Sequence, residues 1–158
     1  MAVRRNWLLD IGLGHLTLAR AALYAAILDG QRPRGDHVRE GVEFLRRSGT
    51  QHHLPRALLT RALFRAVTGA FGGAREDLDE AFEIAERGPM KLFLAEIHLH
   101  RARLFGLMPS RPADYPWKSP RTDLDAAKKL IDECGYGRRR EELADAEAAY
   151  ARLYGGAG

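Results

Sequence analysis

The chain has 158 residues, with 24 alanines and 22 leucines but only 14 valines, isoleucines and threonines together. Because strand-forming residues are this scarce, the composition excludes an immunoglobulin-like sandwich, a barrel and a Rossmann-type parallel sheet, and it predicts an all-α fold. The net charge of +4, carried by 21 arginines and only 4 lysines, is too mild to require nucleic acid.

Glycines and prolines divide the chain into seven predicted helices joined by short loops. The expected helices run over about 8–28, 36–47, 54–68, 74–87, 89–107, 122–134 and 138–154. Residues 108–120 interrupt the pattern with four prolines, and Tyr115 and Trp117 lie between them. We expect this insertion either to cover one end of the helices or to bind a partner.

The cellular setting follows from what the sequence lacks. No run reaches the about 18 apolar residues of a membrane span, and the N-terminus has no signal-peptide core with its cleavage site. Cys134 is the single cysteine, which excludes an internal disulfide framework and suits a reducing compartment. These features predict a cytoplasmic protein that does not bind a membrane.

A repeat underlies the predicted helices. Arg-Ala recurs at residues 20, 61 and 101, at spacings of 41 and 40 residues. The pattern predicts three helix-turn-helix pairs over about 8–49, 54–88 and 89–135, followed by a capping helix over 138–154. Stacked pairs of this kind form an α-solenoid, so we expect one helical-repeat domain over 1–158.

The middle pair resembles the tetratricopeptide repeat. Small and large side chains follow that repeat's order at Leu58, Ala62, Gly69, Phe71, Ala74, Leu78 and Ala81. Further segments, at 15–18, 53–56, 77–81 with 84–88, and 135–139, resemble the C-terminal repeat region of bacterial NACHT/STAND or TIR signalling proteins. This resemblance implies a right-handed superhelix that serves as a sensor or scaffold, and it names no partner.

In tetratricopeptide arrays the first helices of the pairs line a concave groove. The same helical offsets in each pair place eight candidate partner-binding residues there: His15, Leu18, Arg56, Leu59, Leu63, Glu96, Leu99 and Arg103. An apolar stripe with arginines at its edge suits a peptide that carries an acidic group. The alternative is that the leucines are simply core.

Other polar residues favour structural roles. We expect ion pairs between Arg61 and Asp77 and between Arg101 and Asp123, each joining two helices of one pair. His98 and His100 are two residues apart and face differently, which does not suit a metal site, and no cofactor motif is present. The run 138–140 of three arginines either is solvated, pairs with Glu141 and Glu142, or touches phosphate or nucleic acid.

The sequence therefore predicts a non-catalytic scaffold that binds a peptide or protein segment in the groove, within a bacterial signalling assembly. No Gly-x-x-x-x-Gly-Lys-Ser/Thr phosphate-binding loop occurs in the chain. Two alternatives stay open, namely a nucleic-acid-binding helical repeat that uses the arginine-rich surface and a self-associating structural module. The identity of the partner and the oligomeric state do not follow from the sequence.

Overall fold

The structure, a computed structural model, describes residues 17–26, 28–31, 35–49 and 51–155. Every regular element in these ranges is helical, which confirms the all-α prediction. A first helical segment covers residues 17–26. The elements that follow are α1 (Asp36–Ser48), α2 (Leu54–Val67), α3 (Phe71–Arg87), α4 (Lys91–Arg101), a π-helical segment (Ala102–Leu107), α5 (Pro120–Cys134) and α6 (Gly137–Tyr154).

The chain divides into two compact units, the first ending at Ile84 and the second beginning at Ala85. In the first unit, the first helical segment and α1 each bury an apolar side, whereas α2 is buried on more than one side, at the four consecutive residues 57–60. Ala19 and Leu23 are buried in the first helical segment, and Val42 and Leu45 are each 1% exposed in α1. The other fully or nearly buried apolar side chains of this unit include Ala57, Leu58, Ala62, Ala66, Ala74, Leu78 and Ala81.

The second unit has its core between α4, α5 and α6. Eight buried side chains form one cluster: Ala95, Leu99, Ala102, Leu124, Ala127, Ile131, Leu143 and Ala146. Alanines contribute half of this cluster, so the helices approach closely at these positions. Leu107, Leu130, Tyr136 and Tyr150 pack against it from the edge.

Helix ends agree with the glycine and proline signals in most places. Gly49 and Gly135 close α1 and α5 with left-handed backbone, at φ values of 70° and 69°, as glycine allows. Ser119 caps α5, because its side chain accepts a hydrogen bond from the Thr122 backbone N–H at 3.0 Å.

Two predicted helix boundaries were wrong. The helix expected over 74–87 begins at Phe71 and includes Gly72 and Gly73. The predicted helix over 89–107 begins at Lys91, and its last six residues widen into the π-helical segment.

Candidate protein-interaction surface

A buried carboxylate organises the polar interior of the first unit. Asp77, on the first turns of α3, is 1% exposed. Its two oxygens accept three hydrogen bonds from the Arg61 guanidinium, at 2.6–3.2 Å, and one from Arg65 Nη1 at 3.0 Å. Arg65 Nη1 also donates to the Gly73 carbonyl at 3.1 Å. This confirms the predicted Arg61–Asp77 ion pair, which fastens α2 to α3.

An open cleft of about 640 Å³ lies beside this ion pair. Its walls come from α1, with Arg61 of α2 on the other side. The lining residues are Arg39, Glu40, Val42, Glu43, Phe44, Arg46 and Arg61. Val42 is buried and Phe44 is half-buried, so the cleft combines apolar surface with five charged side chains. We call this feature the α1 cleft.

One edge of the α1 cleft is held by a bidentate ion pair between α1 and α3. Arg46 donates to the two carboxylate oxygens of Glu80 at 2.5 and 2.6 Å. Hydrogen bonding to Arg46 lowers the pKa of the Glu80 carboxyl, and the same bond raises the pKa of Arg46. Both groups therefore stay charged at neutral pH, and their ion pair holds α1 to α3 at this edge of the cleft.

The second unit has a buried carboxylate at the equivalent place, the start of α5. Asp123 is 4% exposed and lies 2.6 Å from His98 Nδ1, 2.5 Å from the Tyr115 hydroxyl and 3.8 Å from Arg101 Nη1. The predicted Arg101–Asp123 ion pair is therefore confirmed. Burial, together with the hydrogen bond to Asp123, raises the pKa of the Tyr115 hydroxyl, which stays protonated and donates to the carboxylate.

The aromatic residues of the 108–120 insertion pack onto the second unit. Trp117 lies edge-on to Phe105 and Tyr115, with ring centroids 5.0 and 5.5 Å apart, and the Arg101 guanidinium lies 4.7 Å from its ring centroid. Of the two roles expected for this insertion, the structure supports covering. Its half-buried aromatic rings contact Phe105, Arg101 and each other within the second unit.

The structure places the predicted groove residues in different environments. In the first unit Leu18 is 53% exposed, Arg56 is exposed, Leu63 is half-buried and Leu59 is 4% exposed. His15 lies outside the described residues. Leu59 is therefore a core side chain, as the alternative interpretation had it.

In the second unit, Leu99 is 1% exposed and belongs to the core cluster, and Arg103 is exposed. Glu96 is half-buried and forms an ion pair with Arg139 of α6. Its carboxylate is thus already used within the unit. The exposed Arg56 and Arg103 remain the accessible charged members of the predicted groove, which itself stays a prediction.

The arginine run 138–140 is used in part to join helices. Arg139 pairs with Glu96 of α4 and with Glu142, and Arg140 pairs with Asp132 of α5 at 2.9 Å. Of the three expectations for this run, pairing with Glu141 and Glu142 is borne out only for Arg139 with Glu142, whereas Arg140 pairs with Asp132 instead.

Within the described part of the chain, no three histidine, cysteine or carboxylate side chains come together as a metal site. None of the helices in the same ranges has the length and apolar character needed to cross a membrane.

Sequence reasoning missed the α1 cleft. Its signal is present in the segment Arg39 to Arg47, where charged residues fall on the exposed side of a helix whose other side carries Val38, Val42 and Leu45. The repeat interpretation placed the groove on the first helices of the pairs, which include α2 and α4 but not α1.

Comparison with known families gives a match to the sigma-54 interaction domain over residues 39–104. The match covers less than half of the chain. No curated protein and no solved structure matches the chain significantly.

This match overturns the tetratricopeptide interpretation. The middle pair, about 54–88, lies wholly inside the matched segment, and the matched family is neither a tetratricopeptide repeat nor an α-solenoid. The resemblance to NACHT/STAND or TIR repeat regions is wrong for the same reason. The small residues that suggested a tetratricopeptide repeat, Ala62, Ala74 and Ala81, are all fully buried. Closely packed helices of any family favour small residues at their contacts.

Proposed function

We propose that the chain is a non-catalytic protein-interaction module that binds a component of the sigma-54 transcription machinery through the α1 cleft. The observation that carries the proposal is the position of the cleft. Every residue that lines it, from Arg39 to Arg61, lies inside the segment that matches the sigma-54 interaction domain.

The composition of the α1 cleft supports a protein partner. Specific protein interfaces combine an apolar centre that carries aromatic residues with a charged rim. Phe44 and Val42 supply the apolar surface, and arginines and glutamates surround it. The Arg46–Glu80 bridge keeps one side of the cleft in place before a partner arrives, which lowers the entropy lost on binding.

The absence of catalysis is proposed on chemical grounds. The sigma-54 interaction domain is normally associated with ATPase activity, which in AAA+ proteins needs a phosphate-binding loop. The chain has no Gly-x-x-x-x-Gly-Lys-Ser/Thr sequence. What this chain shares with the activators is, we propose, the protein contact rather than the hydrolysis of ATP.

Calorimetric titration of the purified chain with purified sigma-54, and separately with sigma-54 RNA polymerase holoenzyme, tests the proposal. We expect binding to at least one of them. Phe44→Ala should weaken it by about tenfold or more, as the loss of a central aromatic contact does. Phe82→Ala is the matched control, because Phe82 is a half-buried aromatic of the same unit outside the cleft, and it should change the affinity less than twofold.

Three results would overturn the proposal. The first is that the wild-type chain binds neither sigma-54 nor the holoenzyme. The second is that Arg56→Glu with Arg103→Glu abolishes binding while Phe44→Ala leaves it intact, which would move the site to the predicted groove. The third is ATP turnover by the purified chain above the rate in protein-free buffer. Far-ultraviolet circular dichroism of each variant confirms that the helices remain.

A further inference from the structure

The charges around the α1 cleft are not equally available to a partner. Two of its arginines are already held by buried or half-buried carboxylates of the same unit. Arg61 makes three hydrogen bonds to Asp77, and Arg46 makes two to Glu80. A partner carboxylate would have to displace Asp77 or Glu80 from these bidentate pairs, which are the strongest kind of side-chain hydrogen bond.

Glu43 is the acidic residue of the cleft that remains available. Its side chain is exposed, and within the described residues it interacts with Arg46 only as a neighbouring negative charge, which helps to raise the pKa of Arg46. Glu40 lies one helical turn earlier on the same lining and is also exposed. The remaining arginine, Arg39, contacts the Asp36 carboxylate at 3.3 Å on the exposed surface.

We infer, on the basis of the proposed function, that the α1 cleft takes a basic amphipathic segment of its protein partner. An apolar side chain of that segment packs on Phe44 and Val42, and a lysine or arginine beside it pairs with Glu43. An acidic segment would meet the exposed Glu43 carboxylate directly, and like charges at an interface disfavour the wrong partner. The phosphates of a nucleic acid would meet the same carboxylate.

The net charge of the whole chain makes this inference easy to test. The chain carries +4, so its average field repels a basic peptide and attracts an acidic one. A basic peptide that binds must therefore do so because of a local acidic site. Non-specific electrostatic attraction to the positive net charge would favour the acidic peptide instead.

The probes are two short amphipathic peptides of the same length, one of lysine and leucine and one of glutamate and leucine. Titration of each into the isotopically labelled chain, followed by amide NMR shifts and fluorescence anisotropy, gives both affinity and location. We expect the lysine peptide to bind with shifts concentrated in α1, and to bind more tightly than the glutamate peptide.

Variants of Glu43 identify the contact. Glu43→Gln should weaken binding of the lysine peptide by about three- to fivefold, the size of one exposed ion pair, and Glu43→Arg should weaken it by more than about tenfold. Glu76→Gln is the matched control, because Glu76 is an exposed glutamate of α3 outside the cleft lining, and it should leave the affinity unchanged.

Tighter binding of the glutamate peptide in α1, no binding of the lysine peptide, or full affinity in Glu43→Arg would each overturn the inference. The sigma-54 titration is separate. If sigma-54 fails to bind while the lysine peptide binds at Glu43, the proposed partner is wrong and the chemistry of the cleft stands. If sigma-54 binds at the cleft but the lysine peptide does not, the proposed function stands and the basic segment is wrong.

Discussion

Replacing Asp77 with asparagine should be among the most destabilising single changes in the first unit. The carboxylate is 1% exposed and neutralises two arginines, whose side chains are 18% and 31% exposed. Removing one partner of a buried ion pair costs about 3–5 kcal/mol, because the remaining charge is left without compensation. Since Arg61 and Arg65 keep some contact with water, we expect a loss near the lower end, about 3 kcal/mol.

Urea unfolding at pH 7, followed by circular dichroism at the helix band, measures this loss. For a slope of about 1.5–2 kcal/mol per molar urea, the midpoint should fall by about 1.5–2 M. Asp79→Asn is the matched control on the same helix. One of its contacts is Arg75, 3.7 Å away, and both side chains are about half exposed, so the midpoint should fall far less than for Asp77→Asn.

A second variant separates charge from packing. Exchanging the pair for apolar residues, Arg61→Met with Asp77→Leu, should recover much of the loss because neither buried charge of this pair remains. Arg65 loses its carboxylate too, but it is 31% exposed and keeps its hydrogen bond to the Gly73 carbonyl. Equal midpoints for Asp77→Asn and Asp79→Asn would refute the reasoning, since burial of the carboxylate would then have no energetic consequence.

Two other outcomes follow from the geometry. Gly106→Ala should destabilise the second unit by about 1–3 kcal/mol in thermal unfolding, because an added Cβ would lie 2.7 Å from Pro120 Cγ. Gly72→Ala is the control. Its Cβ would meet nothing within 4 Å, so this substitution should be neutral or stabilising. Because Arg46 lowers the pKa of Glu80, the stabilisation from this pair is present above the ordinary carboxyl value of 4.5 and is lost as the pH falls through the lowered folded value. Wild type should therefore lose more thermal stability between pH 7 and pH 3 than Glu80→Gln, by at most about 1 kcal/mol since both groups are a third or more exposed. An equal loss in the two proteins would contradict this.

Local chemistry made much of the helical framework predictable. The alanine and leucine excess predicted an all-α chain. Glycines at 49 and 135 predicted helix ends, and in the structure both have the left-handed backbone that ends a helix. The Arg61–Asp77 and Arg101–Asp123 pairs were also predictable, because each joins the first helix of a pair to the start of the second. These features depend on residues that are near in sequence or regularly spaced.

The features that were missed depend on contacts distant in sequence. The π-helical segment contains Gly106, whose carbonyl accepts a hydrogen bond from the Tyr154 hydroxyl at 2.7 Å. Pro120 packs against Gly106 where any other residue would carry its Cβ. Nothing in the local sequence of residues 102–107 encodes those partners. The α1 cleft likewise needs Arg61 and Glu80 brought to α1, so helical periodicity in α1 alone could not reveal it.

The arginine surplus has a structural explanation that composition alone did not provide. Arginines join different helices within each unit at Arg46–Glu80, Arg61–Asp77, Arg65–Asp77, Arg101–Asp123, Arg121–Glu147, Arg139–Glu96 and Arg140–Asp132. Several of these contacts are bidentate, as between Arg121 and Glu147 at 2.6 and 2.7 Å, a geometry that the single ammonium of lysine cannot reproduce. An arginine that is held by a carboxylate of its own unit contributes little to attracting phosphate. The count of 21 arginines is therefore a weak argument for nucleic acid, and what a partner meets depends on the charges left over, as at Glu43.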